Sequence, residues 1–98
     1  MIAIIWRYEV HEAHRAEFEA VYGPTGEWAR LFALGDGFRG TELLRAGDGS
    51  YLTLDVWRAK ADFDRFLAEH GADYEALDRR TDGWTTHEHR LGEYEVLD

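Results

Sequence analysis

Ninety-eight residues set the scale of one domain with one modest core, and a composition 45% hydrophobic and 32% charged is that of a folded chain rather than a disordered one. Twenty acidic against eleven basic residues leave a net charge of -9, which excludes phosphate-backbone binding and disfavours an anionic membrane surface. With no Cys there is neither a disulfide nor a thiolate nucleophile or metal ligand.

In chain order, Ile2, Ile4, Trp6, Tyr8 and Val10 alternate with Ala3, Ile5, Arg7 and Glu9, which predicts a first strand. The start lacks a basic segment and a small-residue cleavage site, so it reads as a strand rather than a signal peptide. No apolar run reaches the ~20 residues of a membrane span. A cytoplasmic location is the resulting expectation. Residues 11–22 have helical period, with His14, Phe18, Val21 and Tyr22 on one face and a stop at Gly23-Pro24. Thr25 is the expected cap of a second helix carrying Trp28, Leu31 and Phe32.

A turn at 35–37 leads to a second strand, FRGTELLRA, and AGDGS forms a hairpin turn into a third, YLTLDVW. This third strand has two unlike sides. Leu52, Leu54 and Val56 are aliphatic, whereas Tyr51, Thr53, Asp55 and Trp57 offer a phenol, a hydroxyl, a carboxyl and an indole. After Trp57 the period changes to that of a helix from about Lys60, with Phe63, Phe66 and Leu67 toward the core. Gly71 interrupts it, and a second piece carries Tyr74 and Leu77. WTTHEHRLGEYEVL is a long polar last strand, bent at Gly92.

Merging the broken helices gives βαββαβ, an α+β ferredoxin-like pattern with an antiparallel sheet and helices on one face. The other sheet face then reads as apolar and aromatic, with Trp6 and Tyr8 on it, and such a face predicts self-association. Fourteen per cent aromatics, four of them Trp, also fit an interface that hides rings.

Several residue types could carry chemistry. His70, at the end of the first helical piece, has a proton affinity suited to transfer near neutral pH, although a histidine there also steadies the helix terminus. Arg7 is expected beside Thr53 and Asp55, paired with the Asp55 carboxylate or facing an anionic substrate oxygen. His87 and His89 share a strand face, but a metal site would need a third ligand, from Glu42 or His14, for which the spacing gives no argument. No metal is therefore assigned, and the segment reads as a solvated strand.

The segments YGPTGEWARLF, GFRGTELLR, YLTLDVWRAKADFDRFL and YEALDRR, in that order, resemble the antibiotic biosynthesis monooxygenase family over nearly the whole chain. That resemblance implies a ferredoxin-like protomer pairing sheet to sheet as a dimeric α+β barrel, with a site between sheet and helices. It implies one of two activities: oxidation of phenols to quinones by O₂ with no cofactor, or haem binding and degradation. Of the phenol-oxidising residues, Trp57 matches the family's Trp, Thr53 stands in place of Asn and Phe63 in place of Tyr, and Arg79 and Arg80 lie only near the Arg position. The haem-type positions hold Arg7, Phe66 and approximately Ala76. The leading expectation is a cofactor-independent monooxygenase acting on a small electron-rich aromatic. In it, Trp57 and Arg7 stabilise an anion and His70 or Asp55 accepts a proton, while Tyr51, Thr53, Phe63 and Tyr74 bind substrate. The alternatives are a non-catalytic dimeric module holding a small hydrophobic ligand, and a haem-binding protein.

Overall fold

A computed structural model describes residues 1–97. Strand β1 (Ile2–Val10) leads through a 3₁₀ turn (Glu12–His14) to α1 (Arg15–Tyr22) and α2 (Glu27–Phe32). The hairpin of β2 (Phe38–Arg45) and β3 (Tyr51–Trp57) follows. A long α3 (Lys60–Thr81), a second 3₁₀ turn (Asp82–Trp84) and β4 (Thr85–Glu95) complete the chain. The sheet is antiparallel in the order β2-β3-β1-β4, and the helices cover one face. This is the expected ferredoxin-like βαββαβ arrangement.

Register decides which side chains share a face. Tyr8 lies opposite Tyr51, Trp6 opposite Thr53, Ile4 opposite Asp55 and Ile2 opposite Trp57, so all eight point to the helix side. The mixed side of β3 is buried throughout, whereas Leu52, Leu54 and Val56 are half-buried on the open side. Trp6 and Tyr8 are therefore corrected from the open face to the interior. Their rings stack at 6.3 Å, and Tyr8 meets Phe18 and Tyr22 edge-on at 5.3 and 5.2 Å. Trp28 and Trp57 are also buried inside the protomer. The aromatics of β1 and β3 are turned into the protomer because their positions keep the same parity along paired strands.

The first helix is shorter than its period suggested, since residues 12–14 take the tighter 3₁₀ form. Thr25 does not cap α2; Gly26 occupies that position without a side-chain cap, and the Thr25 carbonyl accepts a bond from Arg30 Nη1 at 2.6 Å. The break in α3 lies at His70, whose φ of -125° and ψ of 21° are not helical, one residue before Gly71. The bend lets Phe63 and Phe66 before it, and Tyr74 and Leu77 after it, all face the sheet. Tyr22 donates to Thr81 Oγ1 at 3.1 Å, tying the end of α1 to the end of α3. In β4 the predicted bend is a bulge: Ile5 pairs with Gly92 and Trp6 with Arg90, which leaves Leu91 over, and Gly92 has φ 141°.

Asp62 closes the other end of the helical layer. Its buried carboxylate accepts from Arg58 Nε and Nη2 at 3.0 and 2.8 Å and from Arg65 Nη2 at 3.1 Å. Gly37 makes this possible. Its φ is +95°, and a Cβ there would stand 2.6 Å from the Asp62 carboxyl. Gly37→Ala is expected to lose at least about 1–2 kcal/mol from backbone strain alone, read as a lower urea midpoint.

Candidate functional site

A cavity lies between the helix side of the sheet and the helices. Its volume is about 50 Å³, and it opens to solvent. Ile4, Trp6 and Tyr8 of β1 and Thr41, Thr53 and Asp55 of β2 and β3 form its floor. Tyr22, Trp28 and Phe32 supply one wall, Phe63, Tyr74 and Asp78 another, and Glu88 of β4 stands at the edge. The even spacing of floor residues along three paired strands brings them together.

Asp55 is the charged group at depth. Thr41 Oγ1 donates to its Oδ1 at 2.7 Å, and among the described residues no side chain donates to Oδ2. Burial raises its pKa from 3.8 to about 6, with Thr41 partly opposing the rise. Tyr74 is pushed up to about 12, first by burial and then by Asp78, Asp55 and Glu88, so its hydroxyl stays a donor. Burial also raises Tyr8 well above the ordinary phenol value; the Thr53 hydroxyl eases that penalty without reaching hydrogen-bond geometry. Two buried polar atoms, Thr53 Oγ1 on the floor and Trp28 Nε1 on the wall, have no hydrogen-bond partner among the described residues. Unpaired buried groups of this kind cost about 1–3 kcal/mol each unless something completes them.

The eight residues singled out in the sequence divide into three sets. Thr53, Asp55, Phe63 and Tyr74 line the cavity. Trp57 and Tyr51 are buried beside it but do not line it. Trp57 is enclosed by Phe32, Phe38, Phe63 and Phe66 at 5.1–5.8 Å, with its N–H unpartnered. The Tyr51 hydroxyl turns to Glu19 of α1, which Arg45 also meets at 3.3 Å.

Arg7 and His70 are not brought to the cavity. Arg7 lies opposite Leu52 on the open sheet face, near Glu9 and Asp48 at 3.5 and 3.7 Å, and the expected pair with Asp55 does not form. The odd numbering of Arg7 on β1 sets it on that face. His70 packs on Phe66 at the kink, with Nδ1 4.0 Å from Asp73. His87 and His89 face away from the helices, and Glu42 stands on β2, with two strands between it and β4. Among the described residues no group of three or more potential ligands could hold a metal ion. Nor is any helix among them long and apolar enough to cross a membrane.

Trp6, Tyr8, Tyr22, Trp28, Thr41, Asp78 and Glu88 are cavity residues that the sequence reading did not select. Strand parity carried the signal for Trp6, Tyr8 and Thr41, once β1 and β2 were paired to β3. Nothing local marked Asp78 or Glu88, which read as solvated acids on a helix and an edge strand.

A four-stranded antiparallel sheet with kinked helices over one face, enclosing an aromatic cavity, defines a ferredoxin-like protein with a cavity beneath its helices. The antibiotic biosynthesis monooxygenase family model matches residues 1–76, and the chain belongs to that family. No curated protein matches it. Among solved structures it is similar to SnoaB, a cofactor-independent oxygenase from Streptomyces nogalater. The identity is 31% over 99% of this chain and 93% of that one, with a TM-score of 0.70. It is also similar to the heme-degrader MhuD from Mycobacterium tuberculosis, a structure with two hemes bound in its active site. There the identity is 26% over 100% and 98% of the two chains, with a TM-score of 0.67. A Nitrosomonas europaea structure, 14% identical over the full length of both chains at a TM-score of 0.71, supports the fold alone.

Proposed function

We propose that the protein is a cofactor-independent monooxygenase that oxidises a small electron-rich phenol with O₂. One observation carries this reading: the only carboxylate buried at the cavity floor, among the described residues, is Asp55, with one oxygen unengaged and a proton affinity in the working range of a general base. Likeness to an oxygenase that works without a cofactor agrees with it.

The phenol gives its O–H proton to Asp55 Oδ2, and the phenolate gives one electron to O₂. The radical pair combines at the ring carbon para to the oxygen, forming a C–O bond. The proton at that carbon passes to the distal peroxide oxygen as the O–O bond breaks, which leaves a quinone and hydroxide. Asp55 returns its proton to the hydroxide as water. One phenol and one O₂ thus give one quinone and one water. The Trp28 N–H and the Thr53 and Tyr74 hydroxyls are the donors available to a developing oxyanion, and Ile4, Phe32 and Phe63 keep the space apolar. Trp57 supports Phe63 from behind rather than touching the ligand. Oxygen uptake with single-ring phenols that carry hydrogen para to the hydroxyl tests this; binding without uptake would identify the non-catalytic module instead.

The haem reading fits the cavity poorly. No histidine among the described residues lines it, its room is far below that of a porphyrin, and its carboxylates would face the propionates.

The open sheet face is assigned to a second copy. Leu52, Leu54, Val56 and Ile5 are half-buried there, and Leu44 and Tyr94 are 46% and 49% exposed, a contiguous apolar surface on the side away from the helices. Leu54→Glu is expected to convert a sedimenting dimer to a monomer with the cavity intact. A monomeric wild-type protein at micromolar concentration would refute the pairing.

A further inference from the structure

The cavity lining is one-sided in charge. Three carboxylates reach it, Asp55 at depth and the exposed Asp78 and Glu88 at the rim, from β3, α3 and β4. No lysine, arginine or histidine among the described residues lines it. Arg90, opposite Trp6 on the same side of β4, is held by Glu93 at 3.1 Å, and Arg80 at the end of α3 is held by Glu27. The three acids converge on Tyr74, whose hydroxyl all of them help to keep protonated, and Arg90 opposes them there with a smaller effect.

Between floor and rim stand aromatic faces. Trp28 and Tyr74 meet edge-on at 5.1 Å, and Trp6 and Tyr8 stack at 6.3 Å. Aromatic faces with carboxylates behind them attract an organic cation, whereas a carboxylate brought to the same place meets repulsion in a partly desolvated site. The net charge of -9 adds a long-range field of the same sign. Away from the rim, by contrast, the Thr53 hydroxyl on the floor and the Trp28 N–H on the wall, unpartnered among the described residues and 2% and 6% exposed as residues, call for a neutral oxygen.

We propose that the cavity selects a single-ring phenol bearing a protonated amine or a quaternary ammonium group, phenol end inward and cation at the rim beside Asp78 and Glu88, and rejects the carboxylate-bearing counterpart. This rests on the cavity being the substrate site, as proposed above, but not on turnover.

Calorimetric titration of the full chain with three probes of one ring tests it: tyramine, 4-ethylphenol and 3-(4-hydroxyphenyl)propanoate. Tyramine is expected to bind at least tenfold tighter than the propanoate, with 4-ethylphenol between them. The gap should shrink at high salt and in Asp78→Asn/Glu88→Gln, whose exposed sites leave folding intact. Equal or inverted affinities, no measurable binding of tyramine, or a preference unchanged in the double variant would overturn the proposal. Oxygen uptake with the meta-hydroxy isomers of these probes, which keep a hydrogen para to the hydroxyl, reports on the other reading separately. Tight tyramine binding without uptake by its meta isomer upholds the cation preference and sinks the oxidation; uptake with the propanoate preferred in binding does the reverse.

Discussion

Asp55→Asn is expected to lower turnover by about 10²-fold or more while raising stability at neutral pH. The loss follows from removing the proton acceptor, an effect of about 10²–10⁴-fold where a positioned base acts in the rate-limiting step. The gain follows from linkage. Folding raises the pKa of Asp55 from 3.8 to about 6, so the folded protein holds this proton more tightly than the unfolded chain does. The stabilisation from that tighter hold is complete below about pH 4 and is lost as the pH rises through about 6. Relative to the protonated state, the ionised carboxylate costs the folded protein roughly 3 kcal/mol. Asn keeps an oxygen for the Thr41 hydroxyl and never ionises, so the variant lacks this dependence. Urea unfolding at pH 4 and pH 7.5 checks it: the stability difference between variant and wild type should widen in favour of Asn at the higher pH. In the wild type, kcat/KM should rise through about pH 6 and level off above it. Full turnover in Asp55→Asn would remove Asp55 from the mechanism.

Trp57→Ala is expected to cost about 3–5 kcal/mol, a large share of the 5–15 kcal/mol typical of a domain. Trp57 is wholly inaccessible and touches the rings of Phe32, Phe38, Phe63 and Phe66, which come from α2, β2 and α3. Removing the indole leaves a hole where three elements meet, beside Gly35, at which a Cβ would stand 3.0 Å from the same ring. Trp57→Phe should cost less, because a ring remains and the indole N–H it deletes has no partner to lose. Equilibrium unfolding in urea separates the two. If the indole instead touched the reacting phenol, Trp57→Phe would depress turnover without depressing stability.

Alternation and helical period along single segments were enough to place every strand, the helical layer and the break near residue 70, since those patterns record which side of an element is buried. They also separated the two sides of β3, because Tyr51, Thr53, Asp55 and Trp57 differ so plainly from Leu52, Leu54 and Val56. The family resemblance added the position of the site beneath the helices. The sequence could not say which side of β1 shares a face with which side of β3. That depends on register between strands more than forty residues apart, and a one-residue difference in parity sends Arg7 to the open face and Trp6 to the cavity.

Nor could it show that Asp78 and Glu88 meet above Asp55, since α3 must bend at His70 and β4 must bulge at Leu91 before those acids converge. Sequence by itself thus determined the elements, their order and the apolar side of each, because these follow from local periodicity. Only the tertiary structure decided the membership and charge of the cavity, because proximity there is set by strand register and helix bending rather than by spacing along the chain.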